Sequence, residues 1–359
     1  MKNKKLLKRQ KMNNKKIIKR GYVFTNNRKG DNMNKIKKEI PIFTATDDNY
    51  VPFLAVTLQS MLENASKDYN YTIKILNTGI SEDNINKIKK YEKENVNIEF
   101  VDMKKSLEEI GLRLHTCIYY TQTTYYRLFI ASLYPQYDKV LYIDCDVAVT
   151  GDISKLYNIN IGDNLVGATT DEFVVNFPKI HQYMTGGLGV NKVSDYFNAG
   201  VLIMNLKQFR IQNFEEQFVD LLAKYKFVVQ DQDYLNVICK NKVHYISGSW
   251  DKMPCKDDME VSKVNLIHYN LIWKPWHAEV PYGDIFWNYA DKTEYKDIIH
   301  NIRDNYTAEQ YQKDIDNFNM FMDNIVEDGK NPNNYYNMYV NSESDGEEAF
   351  SFAESEVMA

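Results

Sequence analysis

The spacing of apolar and polar residues becomes regular at Ile40. Ile40–Thr46 is a short, nearly uninterrupted apolar run, as expected of a buried strand. In Tyr50–Glu63 the apolar residues Val51, Leu54, Leu58 and Met61 recur at helical spacing. Tyr71–Leu76 alternates as a strand does. Ser81–Glu92 reads as a polar helix that opens on a serine cap with an acid close behind. Val96–Val101 is a further strand, Thr123–Leu133 a helix, and Lys139–Ile143 a buried strand that runs out into acids. This strand–helix alternation predicts an α/β fold with a largely parallel sheet and helices on both faces. In such sheets ligands bind outside the carboxyl ends of the strands.

The second half continues the pattern from near Asp152. Strands are expected at Leu165–Thr170, Phe197–Met204, Val243–Ile246 and Val264–His268, and helices at Phe214–Tyr225 and Asp233–Cys239. These belong to one continuous fold, expected over residues 40–295. A polar helical extension follows over 296–328, fading near Ile325. Residues 329–359, rich in Asn and then in Ser and Glu, read as an acidic disordered tail, and residues 1–39 as a basic disordered lead with Met33 close to the working start. No internal repeat is visible.

With 44% hydrophobic residues in 359, a sizeable core can be buried. The 27 tyrosines against 17 phenylalanines suit half-buried and sugar-stacking surfaces, and follow equally from codon usage. The net charge of −5 is unevenly spread, positive at the start and negative at the end, so the middle gives no sign of a nucleic-acid partner. Cys117, Cys145, Cys239 and Cys255 show no zinc-site spacing and are expected as free thiols in a reducing compartment. No apolar run reaches 18 residues, and the basic start lacks the apolar core of a secretory signal. A cytoplasmic protein is expected, with peripheral contact at the inner face of the membrane through the basic lead.

The strongest chemical signal is Val140-Leu141-Tyr142-Ile143-Asp144-Cys145-Asp146. Side chains two apart on an extended chain point the same way, so two carboxylates emerge together at a strand end. That suits a hard divalent cation that also binds phosphate oxygens, although two acids at a strand end are commonly loop solvation.

Several segments, in order, resemble glycosyltransferase family 8, the glycogenin and lipopolysaccharide-galactosyltransferase type. They are Phe43-Thr44-Ala45-Thr46-Asp47-Asp48-Asn49-Tyr50, then Thr123-Thr124-Tyr125-Tyr126-Arg127-Leu128 leading to Asp144-Cys145-Asp146, then Tyr196-Phe197-Asn198-Ala199-Gly200-Val201. Asp231-Gln232-Asp233-Tyr234-Leu235-Asn236 and Ile267-His268-Tyr269 leading to Lys274-Pro275-Trp276 complete the set. The resemblance runs from about Ile40 to Trp276. It implies a GT-A-type single domain with a Rossmann-like, mixed, mostly parallel sheet. It also implies a metal held by Asp144, Asp146 and His268, with Mn²⁺ expected and Mg²⁺ the alternative.

By the same resemblance, Ala45, Asp47, Asn49 and Tyr50 map to uracil and ribose contacts. The residue types agree: a small side chain admits the base, a carboxylate accepts from the imide N–H, and a tyrosine face stacks. Arg127, Asp171, Asn198, Ala199 and Asp231 map to the donor sugar and its surroundings, and Lys274 to the diphosphate. Gln232 maps to the face opposite the leaving group. There it serves either as a nucleophile, for which its neutral amide is poor, or as a dipole steadying a same-face reaction. Bland readings stand beside these: a helix cap by Asp47 or Asp48, a capping acid pair for Asp231 and Asp233, a surface arginine for Arg127, a strand-end acid for Asp171, a bulge at Gly200, and a structural histidine for His268. Many family members carry glycine where this chain has Leu271.

The function implied is a retaining, metal-dependent hexosyltransferase that moves glucose or galactose from UDP-glucose or UDP-galactose to a saccharide or lipid-linked acceptor. Two other functions stay open. One is a glycogenin-like protein that glucosylates itself, for which Tyr335, Tyr336 and Tyr339 are candidates. The other is a catalytically silent UDP-sugar-binding module.

Overall fold

A computed structural model describes residues 37–104, 122–256 and 258–341. The main sheet takes its strands from β1 (Lys38–Ala45), β2 (Tyr69–Asn77), β3 (Val96–Asp102), β4 (Val140–Ile143), β6 (Val166–Ala168), β7 (Val201–Met204) and β8 (Val243–Tyr245), in the order β3-β2-β1-β4-β7-β6-β8. β5 (Val147–Val149) and β9 (Leu266–His268) form a separate antiparallel pair. The pairs β1–β2, β2–β3, β1–β4 and β6–β8 are parallel, while β7 runs antiparallel to both β4 and β6. The mixed, mostly parallel sheet read from the sequence is therefore present.

Central strands are apolar on both faces because both faces are covered. Phe43 and Ala45 of β1 enter one core layer and Ile40 and Ile42 the other, and β4 and β7 divide their residues in the same alternating way. One layer is closed by α1 (Val51–Asn64), whose apolar stripe begins just after a turn capped by Asp47. Behind α1, α2 (Glu82–Lys89) opens on the expected Ser81 cap. The opposite layer is filled by later helices. These are α3 (Ile130–Leu133), α5 (Glu172–Asn176), α6 (Leu206–Ile211), α7 (Phe214–Lys224) and α8 (Gln230–Ile238), whereas α4 (Ile153–Tyr157) packs in the layer of α1. Phe214 and Phe218 of α7 and Tyr234 of α8 are buried there.

Several boundaries differ from the sequence reading. The helix expected over Thr123–Leu133 is a 3-10 helix over Gln122–Phe129 that turns α-helical only at α3. The strand expected from Phe197 begins at Val201, because the Asn198 side chain accepts from the Gly200 amide and turns the chain, leaving Phe197 only an isolated bridge to Thr170. The C-terminal region also departs from expectation. After α9 (Gly283–Ala290) and α10 (Lys296–Asp304), α11 (Ala308–Lys330) starts with a Thr307–Gln310 capping box and buries Phe318, Phe321, Met322 and Ile325 in the core.

The tail boundary expected at residue 329 falls inside α11. Gly329 packs so closely on Tyr183 that a Cβ there would meet backbone at 2.8 Å. Asn334 donates to the Gly186 carbonyl at 3.1 Å, and a π-helical turn covers Tyr336–Asn341. The expected lead up to residue 36 and the tail beyond 341 lie outside the described residues, as does Cys117. Cys145, Cys239 and Cys255 are free thiols. No helix among the described residues is long and apolar enough to cross a membrane.

Candidate active site

The carboxyl ends of β1 and β4 open into a cavity of about 230 Å³. β4 ends at Ile143, and the Asp144 amide then donates to the Gly200 carbonyl at 2.8 Å, joining the strand end to the start of β7. Asp144, Cys145 and Asp146 all border the cavity, and the Cys145 thiol donates to the Ala45 carbonyl at 3.3 Å. The β5–β9 register sets His268 opposite Val147, which brings the imidazole to the acids from far along the chain. His268 Nε2 lies 3.3 Å from Asp146 Oδ1 and 3.8 Å from Asp144 Oδ2. Gly200 lies beneath them. A Cβ there would fall 2.2 Å from His268 Cε1 and 2.9 Å from Asp144 Oδ2, so close approach alone excludes a side chain.

Arg127 is buried and ties the two halves of the site together. Its guanidinium reaches Asp144 at 3.0 Å and Asp231 at 3.1 Å, donates to the Ala199 carbonyl, and lies 4.2 Å over the Tyr142 ring. Tyr142 in turn donates to Asp144 at 2.9 Å. On the far side, Lys274 Nζ reaches Asp146 at 2.5 Å and stands over the faces of Tyr50 and Trp276. Gln232 is held at both ends of its amide. Its oxygen accepts from the Ala199 N–H at 2.9 Å, and its NH₂ donates to Asp171 at 3.0 Å and to the Tyr196 hydroxyl at 3.2 Å. Asn198 donates to the same Asp171 oxygen at 3.0 Å, and the other Asp171 oxygen caps α5 through Val174 N–H.

Of the residues singled out from the sequence, Ala45, Asp47, Tyr50, Arg127, Asp144, Asp146, Asp171, Asn198, Ala199, Asp231, Gln232, His268 and Lys274 all line this one cavity. Asn49 does not. It is exposed on the outer side of the 3-10 turn whose inner side carries Asp47 and Tyr50. Asp47 is also the turn's cap, accepting from Tyr50 N–H at 3.0 Å, so the bland reading of that residue holds alongside its place in the cavity. Leu271, where the family resemblance implied glycine, has a positive φ of 50° and so holds the left-handed backbone despite its side chain.

Two residues were missed. Asp251 is buried and meets His268 Nδ1 at 3.0 Å. Asp233 is fully buried and accepts from the Tyr183 and Tyr196 hydroxyls at 2.6 and 2.7 Å and from Val229 N–H at 2.8 Å. An acid that follows a tryptophan in a loop, as Asp251 does, carries no periodic signal.

Burial and neighbouring charge shift the site's acids differently. Burial raises Asp144 despite Arg127, with Asp146 adding to the rise. Asp146 is also buried, but Lys274 and His268 outweigh that and hold it well below the usual carboxylate range. Burial opposes charge on His268, yet Asp251 and Asp146 prevail and push it up to about 10. Burial lifts Asp231 to about 6 against the pull of Arg127.

Asp233 has no cation beside it, and burial lifts it to about 7 against its three hydrogen-bond donors. An acid raised in the folded state keeps its proton there after the unfolded chain has lost its own. Its stabilising contribution is thus full below about pH 4 and is lost as pH rises toward 7. Asp233→Asn is expected to remove this dependence. Urea unfolding of the wild type should show stability falling by a few kcal/mol between pH 5 and pH 8, and the variant should show a shallower fall.

Asp144, Asp146 and His268 offer ligand atoms that all lie within 4.8 Å of one another, and no other such group occurs among the described residues. Two carboxylates and an imidazole over a side-chain-free Gly200 fit a divalent cation, with His268 giving up its Nε2 proton on binding.

The sheet order, with an acid–acid–imidazole cluster at the carboxyl end of a central strand, agrees with the GT-A architecture implied by the sequence resemblance. The family model of glycosyl transferase family 8 matches residues 41–280, and the chain belongs to that family. It is similar to general stress protein A of Bacillus subtilis, 26% identical over 72% of this chain and 95% of that protein. It is also similar to lipopolysaccharide 1,3-galactosyltransferase of Salmonella typhimurium, 28% identical over 44% of this chain and 50% of that one. Among solved structures it resembles the galactosyltransferase LgtC in complex with donor and acceptor sugar analogs. The TM-score is 0.58 at 27% identity, covering 71% of this chain and 96% of that chain.

Proposed function

We propose that this chain transfers glucose or galactose from a UDP-sugar to a saccharide or lipid-linked acceptor, with retention of anomeric configuration and dependence on Mn²⁺, with Mg²⁺ the alternative. The observation that carries this reading is the convergence of Asp144, Asp146, His268, Lys274, Arg127, Asp231 and Gln232 on one cavity. Ala45, Asp47 and Tyr50 bind the nucleoside. Asp171, Asn198 and Asp231 accept from or donate to donor-sugar hydroxyls, with Ala199 beside them. Lys274 neutralises charge on the departing diphosphate. Asp144, Asp146 and His268 hold the cation, which when bound acts as a Lewis acid for the leaving group. Arg127 fixes Asp144 and Asp231 relative to one another, so the metal side and the sugar side of the site move as one body.

The fixed amide of Gln232 favours the same-face route. Its oxygen is already oriented by Ala199 N–H and its nitrogen by Asp171, an arrangement suited to presenting a dipole and not to swinging in as a nucleophile. In that route the acceptor oxygen bonds to the anomeric carbon as the bond to UDP breaks, and the acceptor proton passes to the diphosphate. Gln232→Ala is then expected to slow transfer about 10²–10³-fold, the loss of one positioned dipole, without changing product configuration. Steady-state rates with the product's anomeric proton followed by NMR check it. A near-total loss, with a glycosyl-enzyme trapped in Gln232→Glu and seen by mass, would instead assign the nucleophile.

An external acceptor is favoured over self-glucosylation. The Tyr335 ring packs against Tyr225 and Phe227, the Tyr336 ring covers Gly189, and the Tyr339 ring lies tilted against Tyr335 at 5.8 Å, none of them lining the cavity. A site that keeps all of Asp144, Asp146, His268 and Lys274 also favours turnover over silent binding. We place the enzyme in the cytoplasm, with the basic lead making peripheral contact with the inner face of the membrane. A panel of UDP-sugars scored for UDP release with Mn²⁺ tests the activity. Release from UDP-glucose or UDP-galactose is expected, and release from neither, with the protein folded, would reject the reading. Intact mass after the same incubation separates transfer to an acceptor from transfer to the chain itself.

A further inference from the structure

Each of the three candidate ligands has its second side engaged by a charged side chain: Asp144 by Arg127, Asp146 by Lys274, and His268 by a carboxylate not legible in the sequence. The His268 Nδ1 lies 3.0 Å from Asp251 Oδ1, and the other carboxylate oxygen accepts from Thr169 Oγ1 at 3.2 Å. Both side chains are buried: Asp251 is 1% exposed and His268 3%. Asp251 sits in the segment that returns alongside β9. The Lys252 amide donates to the Leu266 carbonyl and the His268 amide donates to the Lys252 carbonyl, so Asp251 and His268 are held on adjoining backbones. The neighbouring Lys252 ammonium pairs with Glu172 at 2.8 Å and Asp258 at 2.7 Å. The imidazole is thus gripped from three directions: by Asp251 at Nδ1, by its own strand, and by Gly200 against Cε1.

We propose that Asp251 is a positioning residue for the metal site: its carboxylate accepts a hydrogen bond from His268 Nδ1–H, so fixing the tautomer whose Nε2 lone pair faces Asp144 and Asp146, and its buried negative charge makes that nitrogen a stronger electron-pair donor. An imidazole that ligates through one nitrogen needs its other N–H held, or the ring samples the wrong tautomer and orientation. Thr169 does for Asp251 what Asp251 does for His268. A buried carboxylate with one hydroxyl and one imidazole as partners is costly unless positive charge lies close, and a divalent cation held by Asp144, Asp146 and His268 would supply it.

This inference rests on the reading that Asp144, Asp146 and His268 hold a divalent cation, and the experiment separates the two. Mn²⁺ binding to the full-length protein in the presence of UDP is measured by calorimetry for the wild type, Asp251→Asn, Asp251→Ala, Thr169→Val and His268→Ala. Unfolding temperatures are taken in EDTA. Asp251→Asn keeps an acceptor for Nδ1–H but removes the charge, and is expected to weaken Mn²⁺ binding about 10-fold. Asp251→Ala removes the anchor as well and is expected to weaken it toward 100-fold, the range over which such partners act on metal affinity. Thr169→Val is expected to give a smaller loss in the same direction, and it carries the test if the Asp251 variants fail to fold. Folded Asp251 variants with wild-type Mn²⁺ affinity would overturn the proposal while His268→Ala still loses binding, as would unchanged affinity in Thr169→Val should that variant be the only one to fold. If His268→Ala also binds Mn²⁺ like the wild type, the metal site itself is misassigned and the proposal falls with it.

Discussion

His268→Ala and Asp146→Ala are each expected to lower sugar transfer by about 10³-fold or more, with the fold intact in both. Each substitution would leave two protein ligands for the proposed cation, whose charge stabilisation would be worth several kcal/mol at the leaving group. Asp146→Ala also strips Lys274 of its partner at 2.5 Å, so the lysine is no longer held over the cavity. His268→Ala leaves Asp251 buried with only Thr169 as a partner, so a lower unfolding temperature is expected there and not in Asp146→Ala. Transfer rates at saturating donor and Mn²⁺, set beside circular dichroism and melting curves, check this. Wild-type activity in either variant would remove that residue from the metal set.

The second large effect is on stability. Arg127→Met is expected to destabilise the protein by about 3–5 kcal/mol, because it leaves Asp144 and Asp231 facing each other in a buried site without their shared cation. The pH dependence identifies the cause. Asp231 already sits near 6 with Arg127 in place, and loss of the guanidinium raises it further. A raised acid costs nothing below the unfolded value near 4 and its full penalty above the folded value. The variant should therefore regain stability as pH falls from 8 toward 5, more steeply than the wild type. Urea unfolding at several pH values measures it. A pH-independent deficit would point to lost packing over Tyr142 as the larger cause.

Much of this site could be read from the sequence because its chemistry sits at strand ends. The runs that became β1 and β4 are apolar on both faces, so their ends were sharp, and Asp47, Asp144 and Asp146 lie just beyond them. The order of the segments carried Asp231, Gln232, His268 and Lys274. What could not be read depends on contacts between distant parts of the chain. Asp251 gains its meaning only from the bridge that lays Lys252 beside Ile267. Asp233 looks like an ordinary helix-start acid until Tyr183 and Tyr196 close over it. Asn49 lies outside the cavity lining because proximity in sequence to Asp47 and Tyr50 does not survive one 3-10 turn. The C-terminal boundary was misplaced for a similar reason. α11 is polar on average, but Phe318, Phe321, Met322 and Ile325 form a narrow stripe that faces the core and the cavity, and Gly329 extends the contact.

The most direct test of the central claim is NMR of the first-formed product when the chain is incubated with UDP-glucose or UDP-galactose, a saccharide acceptor and Mn²⁺. The expected result is an α-linked product from the α-linked donor, abolished by excess EDTA. A β-linked product, or transfer that continues undiminished in EDTA, would contradict it.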